Sequence, residues 1–375
     1  MAMAALIAGS AIRTCLGTGE ETFAGLLRGE CGAGPLRFGD PASLNVFSGY
    51  HLGSDDPDVP FRAGRLLAEC VGEAVRQAGL DPTRQRVVAL IGTGLRELSA
   101  VENRALTGAP MPSARLHFGD VVRAALPGVR EVITLSNACS AGGHALALAQ
   151  DLVELGEADA VVVGGTDTMT RSMLAMIGRV GSTRTERVRP FDRDRDGVLL
   201  GEGAAALVVV PESWRGDALG RVAATGIVCD AFHLTAPDFE GVCRSMREAF
   251  DRAGRDPSTV DLVLAHGTGT ALNDPVECEA LRKVVLGAGA EPLVTAVKGA
   301  IGHTSGAAAL VNVDVALRCL AGGIVPPVVG LREVLDEGIG LRFVLDEPAP
   351  LAPGLIQVNA FGFGGVNAVT LLEAP

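Results

Sequence analysis

The chain predicts an α/β fold built from two related halves, on three observations. Apolar runs of strand length recur along it, helical patterns sit between several of them, and a strand–break–helix–strand stretch occurs twice. The strand-like runs are AALIAGSAI, RVVALIGTG, EVITLSN, ADAVVVGG, GAAALVVVPE, RVAATGIVCD, VDLVLAHGTG, PLVTAVKG and LIQVNAFGFGGVNAVTLLE. In RAGRLLAECVGEAVRQAGL, Leu67, Val71, Ala74, Val75 and Ala78 share one helical face, and Gly79 and Pro82 end the helix. Residues 132–163 read as strand, abrupt break, small-residue helix and strand, and residues 293–326 read the same way. Each half closes on a sheet-like run, GAAALVVVPE or VNAVTLLEAP, and the polar stretch at 211–219 divides residues 1–215 from 216–375.

Composition narrows the function. With 375 residues and 48% apolar content, the chain can bury a large core. The net charge of −12 argues against a nucleic-acid partner, because phosphate neutralisation needs clustered cations. The eight cysteines form no C-x-x-C pair, so zinc and redox-pair readings are weak and no metal is expected. The opening MAMAALIAGSAIRT lacks a basic leader, and no run reaches the roughly 18 uninterrupted apolar residues of a membrane span. The expectation is a reduced, cytoplasmic protein with no membrane partner.

Four segments could carry chemistry. In EVITLSNACSAGGHALALAQDL an apolar strand stops at Cys139, where a helix should begin. A helix N-terminus lowers a thiol's pKa, and Ala141, Gly142 and Gly143 leave room for a ligand. A buried structural cysteine is the alternative, and this segment alone does not separate the two. In VDLVLAHGTGTALNDPVECEAL, His266 lies just past a strand, at the end where α/β folds collect ligand groups, and Thr268 and Thr270 add hydroxyls. Taken alone, that histidine reads as a hydrogen-bonded core or turn residue. Asp274 and Glu277 fit a helix start, with Asp at the N-cap, Pro275 in the first turn and Glu at the third position. In VTAVKGAIGHTSGAAALVNV, Lys298 and His303 bracket a glycine-rich turn, and a lysine after VTAV should be partly buried and paired. In NAFGFGGVNAVTL the glycines hold a tight loop whose N–H groups can face an oxyanion, although a plain β-turn reads the same way. Four such features at strand ends together suggest a Cys–His–His site.

NACSAGG, AHGTGTALNDPVE, VKGAIGHTSGAAA and NAFGFGGVNA, in that order, resemble the motifs of elongating β-ketoacyl-ACP synthases, the ketosynthases. RPFDRDRDGVLLGEGAAALVV resembles a further segment of that family, so the likeness covers nearly the whole chain. It implies a thiolase-like fold of two pseudo-repeated halves in five layers, α-β-α-β-α, and a dimer. It implies that Cys139 is the acylated nucleophile and that His266 and His303 promote malonyl decarboxylation. Lys298 would support the histidines through a network including Glu277, with Asp274 beside it. Thr268 and Thr270 would contact the phosphopantetheine arm. The N–H groups of Cys139 and Phe363 would form an oxyanion hole, with the Phe363 ring as a gate. No bound cofactor is implied, because substrates arrive on an acyl carrier protein. His303 occupies the position held by Asn in initiating synthases and by Cys in thiolases, so the elongating class fits best. Cys139 argues against a chain-length-factor-like scaffold, which lacks the cysteine.

Departures from the family pattern point to a specialised pathway such as type II polyketide or polyene synthesis. Asn137 stands where Thr is common, Val198 replaces a frequent Phe, and Val366 stands where the glycine loop usually has Thr. The regions 35–60 and 95–115 look trimmed. Arg171, Arg179, Arg184, Arg187, Arg189, Arg193 and Arg195 offer a cationic patch for an acidic carrier protein. Ion pairs with Glu186, Asp192, Asp194 and Asp196 are the equal alternative. The trimmed fold calls for a homodimer, or a heterodimer with a chain-length-factor-like subunit. His144 reads as an internal structural histidine, and His51, His117 and His233 carry no motif.

Overall fold

The computed structural model describes residues 5–37, 39–53, 59–180, 184–352 and 354–375. Ten strands form most of one sheet: β1 (Ala5–Thr14), β2 (Val87–Gly92), β3 (Glu131–Leu135), β4 (Ala160–Asp167), β5 (Gly203–Pro211), β6 (Gly220–Cys229), β7 (Val260–Leu264), β8 (Leu293–Thr295), β9 (Leu355–Gly362) and β10 (Val366–Glu373). From the middle outward the first five run β1-β5-β4-β2-β3 and the second five β6-β10-β9-β7-β8. Each half therefore places its first, fifth, fourth, second and third strands in that order. In both, the second strand pairs parallel with its two neighbours, and the fifth pairs antiparallel. A short antiparallel ladder, Ala5 with Val222 to Ile7 with Gly220, joins the halves along β1 and β6.

Unbroken apolar runs form the strands because both faces are covered. In β5, Leu207 and Val209 enter one core while Ala206, Val208 and Val210 enter another, following the period of two. The outer layer on the first half is α1 (Arg62–Ala78), whose Leu67, Val71 and Ala74 are fully buried and whose Gly79 ends it at φ 63°. Between the two halves of that sheet lie α2 (Ala141–Glu154) and α5 (Ala308–Gly322), with Leu146, Val153, Leu310 and Val313 sharing a core with strands of both halves. The outer layer on the second half holds α3 (Phe239–Ala253) and α4 (Asn273–Val284). The result is the α-β-α-β-α order. Residues 305–322 are long and apolar enough to cross a membrane by length and composition, but 78% of that stretch is buried, which marks a core helix.

One expectation about the repeat needs correcting. The run that should close the second repeat, Ile324–Val325, pairs only with Ala349–Pro350, outside the main sheet. Pro326 and Pro327 follow at once and cannot donate to a ladder. The strand equivalent to β4 is instead β9, beyond an excursion through residues 323–354.

The middle helices approach the sheets so closely that side chains are excluded. A Cβ on Gly92 would lie 2.6 Å from the Ala141 carbonyl carbon and the Gly142 nitrogen. Both are backbone atoms and cannot swing aside. Gly92→Ala is therefore expected to destabilise the protein by about 1–3 kcal/mol, read as a lower urea midpoint. An unchanged midpoint would show that α2 is free to move off the strand.

Candidate active site

Cys139 sits where β3 turns into α2. The chain leaves the strand at Leu135 and makes one tight turn, Ala138–Ser140, before the helix. Ala138 holds φ 50°, a left-handed conformation that costs an alanine roughly 1–2 kcal/mol and persists only where its surroundings impose it. The Ser140 hydroxyl donates to the Val366 carbonyl at 2.8 Å, tying the turn to the glycine loop of the other half. Backbone N–H groups of Phe363 and of Cys139 itself are directed at the sulfur.

The expected lowering of the thiol's pKa is not what the site produces. Burial pushes the Cys139 thiol up to about 11; Lys298 and the two N–H groups pull down, and Asp167 pushes further up. The sulfur is enclosed, so desolvation of a thiolate outweighs the nearby positive charge.

His303 is held by backbone. Its N–H donates to the Leu199 carbonyl at 2.9 Å, and its own carbonyl accepts from the Gly201 N–H at 3.0 Å. The Ser305 N–H donates to His303 Nδ1 at 3.3 Å, so that nitrogen is an acceptor and the ring proton resides on Nε2. His266 follows β7, and its Nδ1 lies 3.4 Å from the Lys298 ammonium. A protonated amine can only donate, so His266 also carries its proton on Nε2. The two rings stand edge to face with centroids 5.5 Å apart, and the Phe361 ring lies 5.6 Å from that of His266.

Lys298 is buried and donates to the His266 carbonyl as well as to its ring. Burial lowers its pKa to about 8, opposed by the charges of Glu277, Cys139 and Asp274. Both imidazoles are held well below their usual pKa, first by burial and next by the Lys298 charge. They are neutral at pH 7 and present two N–H donors.

Asp274 and Glu277 do not cap the helix that carries them, contrary to the sequence expectation. The N-cap residue of α4 is Leu272, with no side-chain cap bond. Both carboxylates turn into the histidine loop instead. Glu277 accepts from the His266 and Gly267 N–H groups at 2.7 and 2.8 Å. Asp274 accepts from those of Thr268, Gly269 and Phe191 at 2.9, 3.0 and 2.8 Å. The physical reason is burial. Four loop N–H groups with no ladder partner need acceptors, and an exposed helix end can use water. Thr268 and Thr270 share a hydroxyl–hydroxyl bond of 2.8 Å on the same loop. Phe363 is 43% exposed.

Sequence reasoning missed two members of this network. Asn359 donates to Glu277 at 2.9 Å and accepts from Gln357 at 2.8 Å. Asp167 is buried beside Cys139. Each is one of two polar residues in a mostly apolar strand, LIQVNAFG and AVVVGGTD, and that contrast was the available signal. His144 behaves as expected, its Nδ1 lying 3.1 Å from the Ser140 carbonyl.

The layered fold is thiolase-like. The chain matches the structure titled "The ishigamide ketosynthase/chain length factor" with a TM-score of 0.89 and 30% identity, covering 100% of both chains. Residues 62–214 match "Beta-ketoacyl synthase, N-terminal domain" and residues 219–332 match "Beta-ketoacyl synthase, C-terminal domain". The chain belongs to the β-ketoacyl synthase family, a family of acyltransferase-type condensing enzymes. It is 37% identical over 250 residues to 3-oxoacyl-[acyl-carrier-protein] synthase 2 of Mycobacterium tuberculosis, covering 63% of this chain and 59% of that relative. The match thus spans about three fifths of that relative's length. It is 34% identical over 333 residues to Nodulation protein E of Rhizobium leguminosarum bv. trifolii, covering 82% of this chain and 81% of the relative.

A buried thiol with a pKa of about 11 makes a definite prediction. Alkylation of Cys139 by iodoacetamide should rise with pH through 7 to 10, by up to about tenfold per unit, without a plateau. Lys298→Met should slow it by removing the opposing charge. A plateau near pH 7 would show that the resting sulfur is already a thiolate.

Proposed function

We propose that this protein is a β-ketoacyl synthase that condenses a Cys139-bound acyl chain with malonyl carried on an acyl carrier protein. The observation that carries this reading is the pairing of Cys139, faced by the Phe363 N–H, with two imidazoles whose Nδ1 atoms both accept hydrogen bonds. In this reading residues 1–215 supply the nucleophile, and residues 216–375 supply both histidines and the glycine loop.

The chemistry follows from the donors. Cys139 exchanges with the carrier's thioester, so the acyl–sulfur bond to the carrier breaks, one to Cys139 forms, and the proton leaves on the carrier thiol. Malonyl thioester then loses CO₂. The electrons of the broken C–C bond go into an enolate, whose oxygen receives the Nε2–H of His266 and of His303. Neutral imidazoles suit this step, because the charge appears only as the bond breaks. The enolate carbon attacks the acyl-Cys139 carbonyl, and the oxyanion receives the N–H groups of Cys139 and Phe363. The thiolate departs and is reprotonated. Lys298 orients His266 and sustains the site's positive potential. Glu277 and Asp274 fix the loop that carries His266, Thr268 and Thr270; in this reading the two threonines meet the pantetheine arm and the Phe363 ring gates entry.

A specialised pathway is favoured by the departures at Asn137, Val198 and Val366 and by the likeness to Nodulation protein E and to a ketosynthase/chain length factor. A dimer, with itself or with a chain-length-factor-like chain, is favoured by the open edge of β3, whose Val132, Ile133, Thr134 and Leu135 are only half-buried.

Carrier docking is supported by the arginine-bearing loop beside the threonines. The Gly197 N–H donates to the Gly269 carbonyl at 3.0 Å, and Arg195 donates to the Thr270 carbonyl at 3.0 Å. Arg189 pairs with Asp196, one of the four acidic partners expected, and Arg193 pairs with Glu333 and Asp336, outside that set. Arg184 lies over the Phe47 ring at 3.9 Å, and neither Arg184 nor Arg187 forms an ion pair among the described residues.

Two experiments test these readings. His266→Ala and His303→Ala should each cut CO₂ release from malonyl carrier protein by at least about 100-fold while a mass shift from acylation persists. Cys139→Ala should abolish that shift. Acylation without CO₂ release in the wild type would point to transfer onto an oxygen or nitrogen nucleophile instead. Arg184→Glu with Arg187→Glu should raise KM about tenfold for carrier-bound substrates and leave small thioesters unaffected. An unchanged KM in a folded variant removes this patch from docking.

A further inference from the structure

The two halves meet at a pair of equivalent turns, and a single carboxylate lies between them. Ala138–Ser140 opens α2, and Ser305–Ala307 opens α5; both helices follow the third strand of their half. Each turn begins on a non-glycine residue with positive φ, 50° at Ala138 and 46° at Ser305. Gly306 is thus the counterpart of Cys139. Asp167 ends β4 opposite Gly203, and its counterpart is Gly362, which ends β9 opposite Val366.

At the cysteine turn, the chain just past Gly362 directs the Phe363 N–H at the sulfur. At the counterpart turn, the side chain of Asp167 occupies the matching place. Asp167 Oδ2 accepts the Gly306 N–H at 2.7 Å and the Gly94 N–H at 2.8 Å. Its Oδ1 accepts the Thr93 hydroxyl at 2.7 Å and the Leu95 N–H at 2.9 Å. Three of these donors belong to the loop after β2 in the cysteine half, and the fourth belongs to the turn three residues after His303. Gly94 shows how tightly the pieces meet. A Cβ there would stand 2.4 Å from the Ser305 hydroxyl, 3.2 Å from Asp167 Oδ2 and 3.7 Å from the Ala138 carbonyl carbon.

We propose that Asp167 is a positioning residue for condensation, locking the loop beside the Cys139 turn to the His303 turn and so fixing the gap between sulfur and imidazoles. This rests on the ketosynthase reading. Acylation needs only the sulfur and its N–H donors. Decarboxylation needs only the imidazoles. Carbon–carbon bond formation needs both in register, so it alone depends on the lock. The charge of Asp167 also reaches the sulfur, where it holds the thiol protonated alongside burial.

Asp167→Asn keeps the shape but has one oxygen, so it retains one pair of bonds and turns an amide NH₂ toward N–H donors. In that variant acyl transfer to Cys139 and CO₂ release from malonyl carrier protein should each stay within about fivefold of wild type, while condensation falls roughly 100-fold. The pH profile of Cys139 alkylation should move to lower pH. Thr93→Val removes one bond at constant shape and should show the same pattern, with condensation down about fivefold. Two results overturn the proposal: a folded Asp167→Asn protein with wild-type condensation and an unmoved alkylation profile, or an equal fall in all three reactions, which would make Asp167 a stability residue. Wild-type protein that neither acylates nor decarboxylates would overturn the ketosynthase reading, and this proposal with it. Normal partial reactions in wild type leave any failure to the Asp167 proposal alone.

Discussion

The sulfur belongs to one half of the chain and both imidazoles to the other, so every function of this site depends on backbone meeting backbone where the halves join. Glycines permit that contact. Gly142 lies against the Gly306 carbonyl, Gly306 against Thr93, whose Cα a Cβ would approach to 2.4 Å, and Gly165 against the backbone of Gly306 and Ala307. Side chains at these points would separate the two turns and carry the reacting groups apart. The strain at Ala138 and Ser305 belongs to the same constraint, because each turn must present its backbone donors toward the junction.

Within that frame, electrostatics is organised around one buried cation. Lys298 sits against His266, and Glu277 and Asp274 stand at charge distance rather than in contact with it. The carboxylates spend their hydrogen bonds on loop N–H groups, so they brace the histidine loop while leaving the ammonium partly uncompensated. That remaining positive charge suppresses protonation of both imidazoles. It also draws thiolate formation downward at Cys139, though not enough to offset burial. The resting site is therefore close to neutral at the atoms that react, and it becomes strongly polar only when substrate charge develops.

Much of this was legible in the sequence because the physics is local. Strand runs, the α1 face and its Gly79 end follow from periodicity and capping alone, and Cys139, His266, Lys298 and His303 stand out as polar breaks at strand ends. What was not legible is non-local. DPVE satisfies the pattern of a helix cap, and only the folded chain shows that Asp274 and Glu277 face a loop with unpaired N–H groups. The thiol pKa was misjudged because helix position is local, whereas enclosure by the other half is not. Asp167 and Asn359 sit in strands where the surrounding valines and alanines drew attention to packing. The strand closing the second repeat was misplaced because an insertion separates it from its helix.

Condensation at this site requires that one sulfur, two backbone N–H groups and two Nε2–H donors surround a single reaction volume. A crystal structure of the protein after covalent capture of Cys139 by a pantetheine-length thioester mimic tests it most directly. The adduct's carbonyl oxygen should lie within hydrogen-bond distance of the Cys139 and Phe363 N–H groups, with the pantetheine amides beside Thr268 and Thr270 and both imidazoles facing the adjoining space. An adduct whose carbonyl points away from those N–H groups, or imidazoles opening into a separate cavity, would contradict it.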